Sequence, residues 1–230
     1  GRTPDRIPVD FWYTDEVIEA LKRHFGTGDE LALFRRLGVD KIVYTPLIYR
    51  RRGNVAPERG LWGAVTTKVE VNGAVYYDVE ANPLARLESE RDLDDYPWWP
   101  DPECFDYDLA AATTRKNGRE FATYGGFVSL FEGYSHLRGL ENAMLDLALT
   151  PELVAAALDR IEAIQTATLR RWLPQVAGVL DCVYCSDDMG GQNGMMMAPA
   201  CWREHIYPRM KRLCGLIHEF GLKVFYHSDG

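Results

Sequence analysis

The chain has 230 residues, of which 47% are hydrophobic and 26% charged, and it carries a formal net charge of −8. That composition suits a globular chain with one large core, and the acidic balance excludes a general nucleic-acid role and opposes binding to anionic membrane surfaces. No apolar run reaches membrane-spanning length, no signal-like stretch follows Gly1, and the five cysteines lack a disulfide-framework spacing, so a reduced, cytoplasmic protein is the expectation.

Ile7 to Tyr13, with Pro8 near its start, reads as a strand, and Thr14 caps a helix that carries Val17, Ile18, Leu21 and Phe25 on one face. Asp29 and Gly38 bracket a second helix. Lys41 to Tyr44 then forms a short buried strand that empties into Thr45-Pro46-Leu47-Ile48-Tyr49 and the arginines Arg50, Arg51 and Arg52. Val65 to Val71 and Ala74 to Val79 flank Asn72-Gly73, a dipeptide suited to the positive φ angles of a two-residue turn, which predicts a hairpin. From Asp92 to Asp108 the chain has too much proline for a regular element and too many aromatic residues for a disordered linker, so an ordered, packed loop is expected.

Phe121 to Phe131 reads as a strand, followed by a helix around Leu140 to Leu147. Thr150-Pro151 restarts a long helix, because proline at the first helical position gives up only an amide that has no partner there. Its apolar face holds Leu153, Val154, Ala157, Leu158, Ile161 and Ile164. A strand runs from Val179 to Cys185, Pro199 opens a further helix, Pro208 interrupts it and Gly221 ends it. Lys223 to His227 is the last strand. The alternation predicts about five parallel strands joined by helices, an α/β architecture. A doubly wound sheet is the alternative, but Gly190-Gly191-Gln192-Asn193-Gly194 lacks the spacing of a nucleotide-binding loop.

In parallel α/β barrels the loops after the strands carry the chemistry, and here those loops hold Arg50, Arg52, Glu132, Asp187, Asp188, Gln192, His227 and Asp229. Loops of this kind are also polar simply because they are wet. His227 and Asp229 offer nitrogen and oxygen to a metal; alternatively Asp229 orients the imidazole or caps the next helix. Asp187 and Asp188 are adjacent, so at most one faces a pocket, as proton donor or as a stabilising anion, while the other caps or pairs. The arginines suit carboxylate or phosphate groups, or form a solvated charge run. Cys182 and Cys185 face opposite sides of a strand and are assigned to packing. His24, His136, His205 and His218 lack partners at metal-ligand spacing. Met195 to Met197 and Trp98-Trp99 read as apolar lining.

The segment Asp187-Asp188-Met189-Gly190-Gly191-Gln192-Asn193-Gly194-Met195-Met196-Met197-Ala198-Pro199, with Trp202-Arg203-Glu204, Pro208-Arg209-Met210-Lys211 and His227-Ser228-Asp229-Gly230, resembles the uroporphyrinogen decarboxylase superfamily, which includes corrinoid-dependent methyltransferases. Pro4 to Val9, Tyr96 to Pro102 and Leu137 to Asn142 fit the same pattern. The resemblance implies a TIM-type (β/α)8 barrel, present over residues 1–230 as an incomplete N-terminal part with a hairpin inserted at 62–80 and its C-terminal strands missing. It implies an enzyme acting on a small-molecule or tetrapyrrole substrate. On the methyltransferase side, zinc would be held at His227 and Asp229 and a corrinoid would be substrate or a partner protein's group. On the decarboxylase side no cofactor is needed. The chain differs from both patterns: Phe11-Trp12-Tyr13-Thr14 stands where decarboxylases carry an arginine-rich run, and Asp229 stands where the methyltransferases carry a zinc-binding cysteine. The ending His227-Ser228-Asp229-Gly230 inclines the reading to methyl transfer, with decarboxylation second and a non-catalytic tetrapyrrole- or corrinoid-binding module third.

Overall fold

Four short strands, β1 (Ile42–Thr45), β4 (Ala122–Val128), β5 (Cys182–Ser186) and β8 (Lys223–His227), pair side by side in that order, every neighbour parallel. Each strand is added next to the one before it in sequence, so the sheet has no point at which strand order reverses. The computed structural model describes residues 5–50, 59–71 and 74–229. Among these the fold is mixed α/β, and none of its helices is both long and apolar enough to cross a membrane.

The helices begin and end where local chemistry directs. α1 (Asp15–Phe25) follows Thr14 and stops at Gly26, whose φ of 64° is left-handed; α2 (Glu30–Leu37) starts on the Asp29 side chain, which accepts from the Leu31 amide. Their apolar faces make a small separate core of Ile18, Leu33 and Phe34. The main core lies between the sheet and its crossover helices. α7 (Pro151–Val176) buries Leu153, Val154, Ala157, Leu158 and Ile161 and continues the same face through Leu169, Trp172, Leu173 and Val176. Proline at N1 also opens α8 (Pro199–His205), while Pro208 sits in the first turn of α9 (Tyr207–Glu219) rather than inside a continuous helix.

The hairpin consists of β2 (Val65–Val71) and β3 (Ala74–Ala81), antiparallel with Val71 opposite Ala74 and an irregularity at Val65/Thr66. The expected turn residues Asn72 and Gly73 lie outside the described residues.

Three expectations are corrected. Residues 7–13 form no ladder: the amide of Asp40 donates to Val9 O at 2.7 Å and the Asp40 carboxylate accepts from the Val9 amide, so pairing is consumed by a single loop residue. This extended segment instead lays Trp12 on the open face of the sheet, 6.0 Å from the Tyr124 ring. Within 92–108 the chain is more regular than its prolines suggest. It contains the end of α3 (Glu90–Asp94), a 3-10 turn at Pro102–Cys104 and the start of α4 (Tyr107–Asn117), each with an acidic or serine cap. Finally, the segment read as the end of a strand folds as α5 (Phe131–Arg138), directly before α6 (Leu140–Leu149).

β4 carries an irregularity between Gly125 and Val128, where the pairing register with β5 shifts. Gly126 has φ 71°, and a Cβ there would stand 2.9 Å from the Trp172 ring. Gly126→Ala therefore combines a left-handed backbone with a clash against a fully buried indole. The expected cost is ~1–3 kcal/mol, seen as a lower urea midpoint at unchanged slope.

Candidate functional site

Because the four strands are parallel, their C-terminal ends share one edge. The register that pairs Ser186 with His227 brings the segments after β5 and β8 alongside each other. Contact continues past the ladder: the Asp187 amide donates to His227 O at 3.3 Å, the Met189 amide to Ser228 Oγ at 3.2 Å, and the Asp229 amide to Asp188 Oδ1 at 3.1 Å. As a result His227 Nε2 lies 3.5 Å from Asp188 Oδ1 and 3.4 Å from Asp229 Oδ1. One ligand atom from each of Asp188, His227 and Asp229 falls within 4.8 Å of the other two. The imidazole and Asp188 are half-exposed and Asp229 is more open, so the cluster faces solvent rather than the core.

Asp187 points the other way. It is fully buried and caps α5: its carboxylate accepts from the Leu130 amide at 2.9 and 3.0 Å and from the Glu132 amide at 2.9 Å. Burial pushes its carboxyl up to about 7, although the backbone donors of α5 pull against the shift. A buried acid whose folded value exceeds its unfolded value adds stability below the unfolded value, near 3.8, and that contribution is lost as pH rises through about 7. Asp187→Asn keeps an acceptor for the helix and removes the charge. Urea unfolding at pH 5 and pH 8 should therefore show a smaller loss of stability at the higher pH for the variant than for the wild type.

Glu132, held on the first turn of α5, belongs to the cluster's surroundings. Ser186 Oγ donates to Glu132 Oε2 at 3.2 Å. Burial pushes the Glu132 carboxyl above the usual range, His136, Ser186 and His227 oppose that shift, and Asp188 adds to it. Arg50 pairs with Asp106, the N-cap of α4, at 2.7 Å, while most of its side chain stays exposed. Gln192 is exposed in the turn between β6 (Gly190–Gly191) and β7 (Gly194–Met195), with no contact to the cluster among the described residues. Arg52 lies outside the described residues. Cys185 is buried on the opposite side of β5, against Cys214 of α9.

Sequence reasoning missed the aromatic wall leading to the cluster. Tyr44, Tyr124, Tyr184 and Phe225 line the open side of the sheet, with centroids 5.2 to 5.9 Å apart, and the Tyr184 ring stacks 6.3 Å from His227. The signal was present as period-two spacing: Tyr184 with Ser186, and Phe225 with His227, share one face. His136, set aside in the sequence for want of partners at metal-ligand spacing, follows Glu132 by one helical turn and lowers the value of its carboxyl.

No protein-family model and no curated protein sequence matches the chain. Among solved structures, a methyltransferase from Methanosarcina mazei superposes with a TM-score of 0.59 at 16% identity, over 99% of this chain and 66% of that one. The likeness is one of fold. The chain thus spans 66% of the length of a protein whose α/β architecture it shares.

Proposed function

We propose that the chain is part of a TIM-type barrel enzyme of the uroporphyrinogen decarboxylase superfamily that takes part in corrinoid-linked methyl transfer, with a divalent metal held by Asp188, His227 and Asp229. Two features support the barrel: consecutive parallel strands without a reversal of order, and a cluster at their C-terminal ends. The convergence of Asp188 on the His227–Asp229 pair carries the functional reading. Ligand atoms ~2.1 Å from a tetrahedral ion stand ~3.4 Å apart, and the two His227–carboxylate separations are 3.4 and 3.5 Å. Nitrogen with two carboxylates is a zinc-compatible set that leaves a fourth position for a substrate atom.

A metal there would supply Lewis acidity that favours the deprotonated form of a thiol or water. The chain's own groups have separate roles. Ser186 orients Glu132, whose half-buried carboxyl is placed to hold a proton beside the cluster, and the rings of Tyr124, Tyr184 and Phe225 offer a flat face to a tetrapyrrole or to the group carried by a corrinoid protein. Decarboxylation, in which an aspartate would stabilise a protonated pyrrole and arginines would hold substrate carboxylates, is less well supported, because Arg50 pairs with Asp106 rather than with a residue of the cluster. A passive binding module is less well supported too, since its polar groups would be splayed rather than convergent.

The test is equilibrium dialysis of the full-length protein against zinc, followed by metal analysis, together with methyl transfer from methylated corrinoid to a thiol. About one zinc per chain and measurable transfer are expected. Protein that retains no zinc and transfers no methyl group would sink the reading.

A further inference from the structure

The parallel ladder between β5 and β8 ends at Ser186 and His227, yet both carboxylates of the cluster lie beyond it, Asp188 in one of the following loops and Asp229 in the other. Among the described residues three bonds join those loops. The first, from the Asp187 amide to His227 O, lies before either carboxylate. The second, from the Asp229 amide, ends on Asp188 Oδ1, the same oxygen that stands 3.5 Å from His227 Nε2 and would have to serve a metal. Only the third, from the Met189 amide to Ser228 Oγ at 3.2 Å, joins the two loops through a side chain that is not one of the three cluster groups.

The Ser228 hydroxyl bears on both carboxylates. Met189 directly follows Asp188, is 6% exposed and packs in the main core, and its carbonyl accepts from the Met196 amide at 2.8 Å, which closes the β6–β7 turn. The hydroxyl is thus fastened to a fixed point one residue from Asp188. It also donates to Asp229 O at 3.4 Å. A functional constellation has to stand within ~0.5 Å of its productive geometry, and groups that bond to the ligand-bearing segments are what hold it there. We propose that Ser228 is a positioning residue for the metal cluster: by bonding the Met189 amide and Asp229 O, its hydroxyl sets the spacing between Asp188 and Asp229. This role rests on the metal reading of the cluster. A serine between a histidine and an aspartate is not among the usual zinc ligands, so a search by ligand type passes over it.

The test is the zinc affinity of the full-length protein, measured by competition with a chromophoric chelator, for the wild type, Ser228→Ala and Ser228→Thr, beside urea unfolding of the metal-free proteins. Ser228→Ala is expected to bind zinc about tenfold or more weakly, and Ser228→Thr, which keeps the hydroxyl, to bind it nearly as the wild type does. Ser228 is exposed, so the urea midpoint of metal-free Ser228→Ala should stay at the wild-type value. Equal affinity of Ser228→Ala and the wild type overturns the proposal. So does a loss that Ser228→Thr shares, because the hydroxyl would not be its cause, and so does a loss accompanied by a lower metal-free midpoint, because the effect would then be on the fold. A wild type that holds no zinc fails the metal reading itself, and this role with it.

Discussion

Replacing His227 with alanine is expected to weaken zinc binding by ~100-fold or more while leaving the stability of the fold nearly unchanged. Loss of a residue that only supports a metal ligand costs about 10–100-fold in affinity, so loss of the ligand common to both short separations belongs at or beyond the upper end. His227 is half-exposed and ends its strand, and surface substitutions of this kind usually change stability by less than about 0.5 kcal/mol. Zinc titration and thermal unfolding of the metal-free protein separate the two effects. Asp188→Ala should resemble His227→Ala in affinity. Asp229→Cys should act in the opposite direction, because a thiolate is a softer donor than a carboxylate and zinc accepts it readily. If both alanine variants bound zinc as the wild type does, the three side chains would be neighbours without being ligands.

Much of the architecture was legible because it is written in local chemistry. The Asp29 cap, the proline at the first position of α7, the glycine stops at Gly38 and Gly221, and the apolar strand cores between them mark where elements begin and end, whereas the hydroxyls of Thr14 and Thr150 cap no helix amide. What was illegible depends on distant partners. α5 has no capping side chain of its own at Leu130; its cap is the Asp187 carboxylate, 57 residues later, so Phe131 to Arg138 carries no local start signal. The same bond explains why adjacent aspartates part company: Asp187 is drawn into the core by helix amides, and Asp188 is left at the cluster. Residues 7–13 have strand-like composition, but Asp40 takes up the Val9 backbone and no neighbouring strand pairs with them among the described residues. Arg50 has the residue type for anion binding, and its pairing with Asp106, which arrives from another element, has no signal in the sequence around it.

Asp146→Ala is expected to be the most destabilising single change among those considered, by about 3–5 kcal/mol, because it strands a buried cation. Asp146 is 6% exposed and gathers Arg138 at 2.6 and 3.1 Å, the Tyr134 hydroxyl at 2.6 Å and the Thr150 hydroxyl at 3.2 Å. Without the carboxylate, Arg138 keeps only the carbonyls of Leu84 and Ala85, and the fully buried Tyr134 hydroxyl loses its acceptor. A fall in Tm of about 6–20 °C follows for a chain of this size. Burial pushes the Asp146 carboxyl up, but the bonds from Arg138, Tyr134 and Thr150 outweigh it and hold the value below the ordinary one. Its stabilising contribution is thus present above the unfolded carboxyl value and is lost as pH falls through the lower folded value. Asp146→Ala should accordingly lose less further stability than the wild type on acidification. The double variant Arg138→Met with Asp146→Leu removes both charges at once and should be more stable than Asp146→Ala alone, since the main cost lies in the unpaired guanidinium rather than in the missing bond. Urea unfolding of the wild type, Arg138→Met, Asp146→Leu and the double variant closes this cycle, with Asp146→Ala measured beside it. A double variant no more stable than Asp146→Ala would show that packing around α5 and α6, and not the buried charge, sets the cost.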